Sequence, residues 1–217
     1  MRRMKSPDGP PPIDERIREA LSRLATALRS DDWLRARAAG INPTQYAILE
    51  CLHGRADGLG VKDIAFQLGV AQPTATDSIA ALERKALVVK HASPTDRRAV
   101  HVAITQDGHD ALRAGESVGG VAAAATAALS AADKEALLVL LVAMIRQLQE
   151  ADAIPIQRMC VSCRHFRPYA HSDAARPHHC TLVDASFGQR DLRIDCRDHE
   201  PADPAFRAAT WDAFQKG

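Results

Sequence analysis

The sequence predicts a mainly α-helical protein with a small β-wing, followed by a small irregular cysteine-rich module. Three observations predict it. Apolar residues recur at helical spacing through most of residues 13–150. Within that stretch two short strand-like runs, Leu87-Val88-Val89-Lys90 and Val100-His101-Val102-Ala103-Ile104, flank a polar loop. From Gln157 onward the helical period stops, and four of the five cysteines and five of the nine histidines gather there.

The centre of the chain carries the most specific pattern. A first helix, Val61-Lys62-Asp63-Ile64-Ala65-Phe66-Gln67-Leu68, is closed by Gly69, and a short turn, Val70-Ala71-Gln72, leads to Pro73 and a second helix ending near Lys85. On that second helix Ala75, Ile79, Leu82 and Ala86 share one face and are the expected core. Gln72, Thr74, Thr76, Asp77 and Arg84 are left on the other faces. A helix pair on a tight turn, followed by a hairpin, is a winged helix-turn-helix, which can set one element in each groove of a DNA duplex. Base edges are met by the N-terminal residues of such a helix, where short hydroxyl and amide side chains reach them. Pro73 fits the first turn, and the free N–H groups there can face a phosphate. In the loop between the strands, Asp96, Arg97 and Arg98 form the wing tip, and arginines suit the negative minor groove. The expected DNA-contacting set is therefore Gln72, Pro73, Thr74, Thr76, Asp77, Arg84, Asp96, Arg97 and Arg98. The bland alternative is a helical hairpin with a solvated charged loop.

Charge permits this reading without supporting it. The formal net charge is +1, and over residues 61–105 Lys and Arg outnumber Asp and Glu by two. Phosphate contacts are expected to be few.

Long helices surround this centre. Ile13 to about Arg29 places Ile17, Leu21, Leu24 and Leu28 on one face, and a shorter helix is expected over Asp32–Ala39 and another over Pro43–His53. After the wing, Thr105-Gln106-Asp107-Gly108 opens a helix expected to run to about Leu129, with Gly119-Gly120 permitting close helix approach. Ser130-Ala131-Ala132-Asp133 resembles a capping sequence, and the following helix carries Leu137, Leu141, Met144 and Leu148, widened by Leu138 and Ile145. Such helices have little to pack against in one chain, so a homodimer partner is the expected cover.

Residues 1–12 read as a disordered leader, because Ser6-Pro7-Asp8-Gly9-Pro10-Pro11-Pro12 stands where a signal peptide needs an apolar run. The longest apolar run, Ala136 to Ile145, is too short to span a bilayer, so a cytoplasmic location without membrane partners is expected. The expected divisions are 1–12 leader, 13–150 DNA-binding and dimerisation domain, and 151–217 cysteine-rich segment.

Four motifs stand in order along residues 13–150: Asn42-Pro43-Thr44-Gln45-Tyr46-Ala47-Ile48-Leu49, the Gly69…Gln72-Pro73-Thr74 turn, Leu82-Glu83-Arg84-Lys85-Ala86-Leu87-Val88 and Asp96-Arg97-Arg98. With them the chain resembles the MarR family of winged-helix transcriptional regulators. The resemblance implies a homodimer built on the terminal helices, each winged helix reading half a palindrome, with a small-molecule effector allowed. Two residues depart from the pattern. Asp77 stands where many relatives carry a basic residue, and could accept a hydrogen bond from cytosine N4. Ala71 replaces a common serine cap, removing a side-chain acceptor.

The C-terminal cysteines run Cys160-Val-Ser-Cys163, then sixteen residues, Cys180, fifteen more, and Cys196. In a cytosolic protein clustered cysteines favour a metal or redox site over disulfides. Cys160, Cys163, Cys180 and Cys196 are the expected ligand set. One close pair plus two isolated cysteines suits an iron–sulfur cluster, and tetrahedral Zn2+ is left open. His165, His178, His179 and His199 lie near these cysteines and are read as surface or outer-layer residues. Large apolar side chains are few in 157–203, so a metal cross-link is expected to supply order that burial does not. Phe206 to Phe214 is expected to form a short amphipathic helix closing over the site. Cys51, between apolar neighbours, reads as a small buried hydrophobe.

These readings combine into a dimeric DNA-binding regulator, read as a repressor, whose operator affinity depends on the cluster through dimer helices joined near Ala151–Ile156. The alternative keeps DNA binding but makes the cysteines a structural zinc site with a small ligand as signal. A metalloenzyme is the remaining reading: four thiolates leave zinc no open position, and no Ser/His/Asp or paired-carboxylate pattern stands out.

Overall fold

The computed structural model describes residues 10–93 and 99–217. Most of the leader and the wing-tip residues Asp96, Arg97 and Arg98 lie outside the described residues.

The chain opens with α1 (Ile13–Ala38), one continuous helix where two were expected. The break was expected between Arg29 and Asp32, but Asp31 is buried within α1. Its carboxylate accepts from the amides of Val121 and Ala122, both at 2.9 Å. The cap thus serves a distant helix, α6 (Val121–Ala127), rather than its own. Next comes α2 (Pro43–Leu52), started by a capping box in which Asn42 and Gln45 bond each other's backbone amides. Strand β1 (Leu59–Gly60), helix α3 (Val61–Leu68) and helix α4 (Gln72–Arg84) follow. Gly69 ends α3 at φ +63, the left-handed conformation that favours glycine. The helix-turn-helix is therefore where the sequence puts it.

The wing is three-stranded rather than two-stranded. β2 (Val88–Ala92) and β3 (Val100–Ile104) pair antiparallel, Val88 opposite Ile104 and Ala92 opposite Val100, and β1 adds to the far edge of β3 through Leu59 opposite Val102. Two residues are too few to leave an alternating pattern, which is why β1 was not foreseen. Ile48, Leu49, Leu52, Ile64, Ile79, Leu82, Val88 and Val102 bury together as the winged-helix core. Ala86, expected on the buried face of α4, is exposed at φ +59, because the helix stops at Arg84 and the chain turns into β2.

The helix expected to run from 105 to 129 is broken into α5 (Gln106–Glu116) and α6. Gly120 caps α6 in extended conformation, and a Cβ there would lie 2.3 Å from Asp31 Oδ2. Of the Gly-Gly pair it is Gly120 that permits a close approach, between the start of α6 and the buried carboxylate of α1. Ser130 then caps α7 (Ala131–Glu150), its hydroxyl accepting from the Asp133 amide at 3.1 Å.

The cysteine-rich segment has a core of its own. Met159, Val161, Phe166, Leu192, Trp211 and Phe214 pack with Val142 of α7, joined by Leu138 and Ile145. Burial thus supplies order that the sequence reading assigned to a metal, because the segment borrows one face of α7 and closes with α8 (Pro204–Lys216). It also contains a small antiparallel sheet, β4 (Phe166–Arg167), β5 (His178–Cys180) and β6 (Ala185–Phe187), in that order. Among the described residues no helix is long and apolar enough to cross a membrane.

Candidate functional site

The first candidate surface is the start of α4. Gln72, Pro73, Thr74, Thr76 and Asp77 are all exposed, whereas Ala75, Ile79 and Leu82 are buried against α2 and α3. One face of the helix fixes its position and the other is free to touch a partner. No side chain caps the first turn, since Ala71 supplies no acceptor, and the opening amides are left to a ligand or water. The Thr76 hydroxyl donates to the Gln72 carbonyl at 2.9 Å, which orients that turn. Arg84 is exposed too, but it sits in the last turn, more than two helical turns from Gln72. The structure therefore groups five of the expected DNA contacts on one end of α4 and sets Arg84 at the other.

The second candidate site is a cavity of about 380 Å³ walled by all four expected ligands, Cys160, Cys163, Cys180 and Cys196. Local structure explains the gathering. A 3-10 turn over Cys160–Ser162 folds the first pair together, with the Cys163 amide donating to the Cys160 carbonyl at 2.9 Å. Pairing of β4 with β5 sets Cys180 opposite Phe166, three residues beyond Cys163. The Arg193–Cys196 segment runs beside Arg158–Cys160, tied by the Cys160 amide to the Arg193 carbonyl and the Cys196 amide to the Arg158 carbonyl, at 2.9 and 2.8 Å. Residues far apart in sequence thus meet around one space.

Its wall is rich in thiol sulfur. All five cysteines are free. Burial, reinforced by the neighbouring Cys196, Cys163 and Cys180, pushes the Cys160 thiol up to about 11, although the Arg193 amide donates to Cys160 Sγ at 3.3 Å and pulls the other way. The Arg193 guanidinium reaches Cys196 Sγ at 3.7 Å. The Cys160 thiol, largely buried beside other sulfurs, resists ionisation until a cation neutralises it. Among the described residues no three His, Cys, Asp or Glu side chains converge tightly enough to hold a metal ion as they stand. The four thiols line one cavity, and an all-sulfur donor set of this kind suits a thiophilic ion or an iron–sulfur cluster.

The histidines separate cleanly. His165 lines the cavity beside the cysteines and pairs with Glu200 at 3.2 Å. His178 is fully buried among Phe166, Tyr169, Phe187 and Phe214, and burial lowers its pKa. His179 turns to His171 and Asp184. His199 bonds the hydroxyl of Ser162 at 3.0 Å, a contact that resembles a nucleophile–base pair. However, Ser162 is fully buried, with two backbone carbonyls within reach of its hydroxyl, so it has no access to a substrate. The α8 aromatics do not cover the cavity. Trp211 and Phe214 fill the core behind it, and Phe166 and Phe187 form the wall between. Cys51 is partly buried on α2, and burial raises its pKa, as for a packing residue.

Apolar side chains remain uncovered on two helices: Ile13, Ile17, Leu24 and Leu28 on α1, and Leu137, Leu141, Met144 and Leu148 on α7.

Comparison with known proteins agrees with this geometry. Residues 41–100 match the MarR family model. Over 69 residues the chain is 38% identical to the HTH-type transcriptional regulator MhqR of Bacillus subtilis (strain 168), covering 32% of this chain and 47% of that protein; the chain spans about half the length of this curated relative. The fold is similar to a MarR transcriptional regulator from Methanosarcina mazei Go1, with a TM-score of 0.53 at 19% identity over 63% of this chain and 99% of that one. It is also similar to CouR from Rhodococcus jostii RHA1, solved bound to p-coumaroyl-CoA, with a TM-score of 0.51 at 18% identity over 68% and 98% of the two chains. The family match stops well before the four C-terminal cysteines. Residues 41–100, the stretch similar to the MarR family model, fold here as a winged helix.

Proposed function

We propose that this protein is a DNA-binding transcriptional regulator, acting as a repressor, that binds a palindromic operator as a homodimer. We further propose that Cys160, Cys163, Cys180 and Cys196 hold an iron–sulfur cluster whose state sets operator affinity. The observation that carries the first part is the start of α4, where Gln72, Thr74, Thr76 and Asp77 stand exposed on a helix whose opposite face is packed rigidly. Short polar groups at a helix N-terminus, backed by unpaired amides, suit base edges and a phosphate. The uncovered apolar stripes of α1 and α7 favour a second copy of the chain as their cover.

For the cofactor, the supporting observation is the cavity that Cys160, Cys163, Cys180 and Cys196 line together. When bound, a cluster supplies an oxidant-sensitive centre whose potential depends on hydrogen bonds to its sulfurs. The chain's own part is to donate those bonds from the Arg193 amide and guanidinium, to wall off one side with Phe166 and Phe187, and to tie the cage to α7.

The test begins with anaerobic purification, a visible spectrum, and iron, sulfide and zinc measured per chain. A brown protein with iron and acid-labile sulfide, bleached in Cys160→Ser and Cys196→Ser, is expected. A colourless protein with about one zinc per chain would replace the cluster by a structural ion. Operator DNA selected from a random pool then reads the regulation, and equal affinity with and without the cluster would sink that part. Gln72→Ala and Thr74→Ala are expected to relax selectivity at single base pairs by about 1–3 kcal/mol while leaving the melting temperature in place.

A further inference from the structure

Two arginines from the cysteine-rich half close on one turn of the winged helix. Arg158 precedes Cys160 by two residues, and Arg197 follows Cys196 directly. From Nη2 Arg158 donates to the His53 carbonyl at 3.2 Å, and from Nη1 to the Gly54 carbonyl at 3.4 Å. Its Nε pairs with Asp195 at 2.5 Å, and its own carbonyl accepts the Cys196 amide at 2.8 Å. The Arg197 guanidinium donates to His53 Nε2, and its stem lies on Gly54, where a Cβ would come 2.7 Å from Arg197 Cγ. Gly54 has φ +72, so the turn needs glycine both for its backbone and for this approach.

The hydrogen positions on His53 follow from its partners. A guanidinium has donors and no acceptor, so His53 Nε2 must present a lone pair to Arg197. In a neutral imidazole the hydrogen then sits on Nδ1, which faces His109 Nδ1 at 3.2 Å and donates to it. His53 caps the C-terminus of α2, and His109 belongs to α5. A continuous line of donors therefore runs from the residue after Cys196 to two helices of the DNA-binding half.

We propose that Arg197 and Arg158 are positioning residues that transmit the state of Cys196 to the winged helix, through His53 to α2 and α5. The inference rests on the reading of the four cysteines as a metal or cluster site. Cys196 is flanked by both halves of the grip: Asp195 holds Arg158, and Arg197 holds His53. With the Cys196 sulfur bound into the cavity, residues 195–197 have one position and the grip is closed. When that bond is released, the loop loses its covalent tether and the arginines lose their register on the His53–Gly54 turn. Helices α3 and α4 pack on α2, so a shift at its end reaches the recognition surface and changes the spacing of the two half-site readers. This connection is additional to the covalent one at residues 151–156, where the cysteine-rich segment leaves α7.

Amide hydrogen exchange on the full-length protein tests this without DNA. The samples are wild type as purified anaerobically, wild type stripped by chelator, Cys196→Ser, Arg197→Met and Arg197→Lys. Stripping, Cys196→Ser and Arg197→Met are each expected to speed exchange in segments 51–58 and 107–113 by roughly tenfold, the scale of one lost charged hydrogen bond. Stripping Arg197→Met should add nothing further, and Arg197→Lys should restore much of the protection, because an ammonium can still donate to His53 Nε2. With selected operator DNA, the ratio of loaded to stripped affinity should collapse toward one in Arg197→Met at unchanged metal content. The proposal is overturned if stripping leaves both segments unchanged, or if Arg197→Met keeps the wild-type response. A protein without bound metal defeats the reading of the cysteine site directly, and equal exchange in wild type and Cys196→Ser would then remove the coupling as well. Normal exchange responses with no DNA binding would leave the grip standing and count against the regulator alone.

Discussion

Asp31 illustrates how a single residue can be legible in type and misleading in place. Its sequence context, Ser30-Asp31-Asp32, lies between the two helices expected over 13–29 and 32–39, and nothing local names a distant partner for it. In the folded protein the carboxylate instead caps α6, ninety residues away, from a position that is 3% exposed. Asp31→Ala leaves the Val121 and Ala122 amides without that partner, and is expected to cost about 1–3 kcal/mol, read as a lower denaturant midpoint. Asp31→Asn should recover part of it, since the amide oxygen can still accept from one of them.

His53 carries the pH dependence at this scale. Burial lowers its pKa first, and the Arg197 and His109 groups lower it further, while Glu116 and Asp195 oppose them. The neutral form is therefore the folded form. In the unfolded chain a histidine titrates near about 6.5, so the unfolded state binds the extra proton as pH falls below that value. The His53 contribution is whole above the unfolded pKa and is lost as pH drops through it toward the lowered folded value. Melting temperatures measured at pH 7.5 and 5.5 should fall more in wild type than in His53→Gln, whose amide can accept from Arg197 and donate to His109 without titrating.

Among the elements, α7 is the one that does two jobs. Leu138, Val142 and Ile145 are packed into the cysteine-rich core, while Leu137, Leu141, Met144 and Leu148 remain uncovered. The apolar stripe was readable from spacing, with Leu138 and Ile145 as its widening. Its division into two faces was not, because periodicity records how many positions are apolar and not which neighbour each will meet. Leu141→Glu with Leu148→Glu is expected to give monomers by light scattering while the visible spectrum and metal content stay as in wild type. Monomers that also lose the metal would show that the two faces are not separable. The same limit applies to the helix that was read as running unbroken from 105 to 129. Alanine propensity carries a local reading across Gly119-Gly120, but the buried carboxylate of Asp31 on one side admits only a glycine at 120.

For the whole molecule, what was legible was whatever repeats or punctuates. The helix-turn-helix announced itself through Gly69, Pro73 and the 3.6-residue period of α4, and the cysteine set through residue type alone. That the four thiols share one cavity depends on two strand pairings and a 3-10 turn, each too short to leave a pattern. The grip of Arg158 and Arg197 on His53 is a contact between residues more than a hundred positions apart, and nothing in an arginine's local sequence names its partner. The core beneath the cysteines was underestimated for a related reason. Counting apolar residues within 157–203 omits the side chains that α7 and α8 bring from outside that range.

The aromatic stack behind the cavity gives the molecule an optical consequence. Phe166 forms part of the cavity wall and lies 6.0 Å from Phe214, which stacks on Trp211 at 5.6 Å, between ring centroids. The protein has one other tryptophan, Trp33, which is 64% exposed on α1. One indole therefore emits from a dry interior two rings away from whatever fills the thiol cage, and the other from water. A coloured occupant would drain excitation from the buried emitter far more than from the wet one, so filling and emptying shift the emission colour as well as its brightness. With such an occupant, Trp211 and Trp33 would together serve as a label-free ratiometric gauge of its presence.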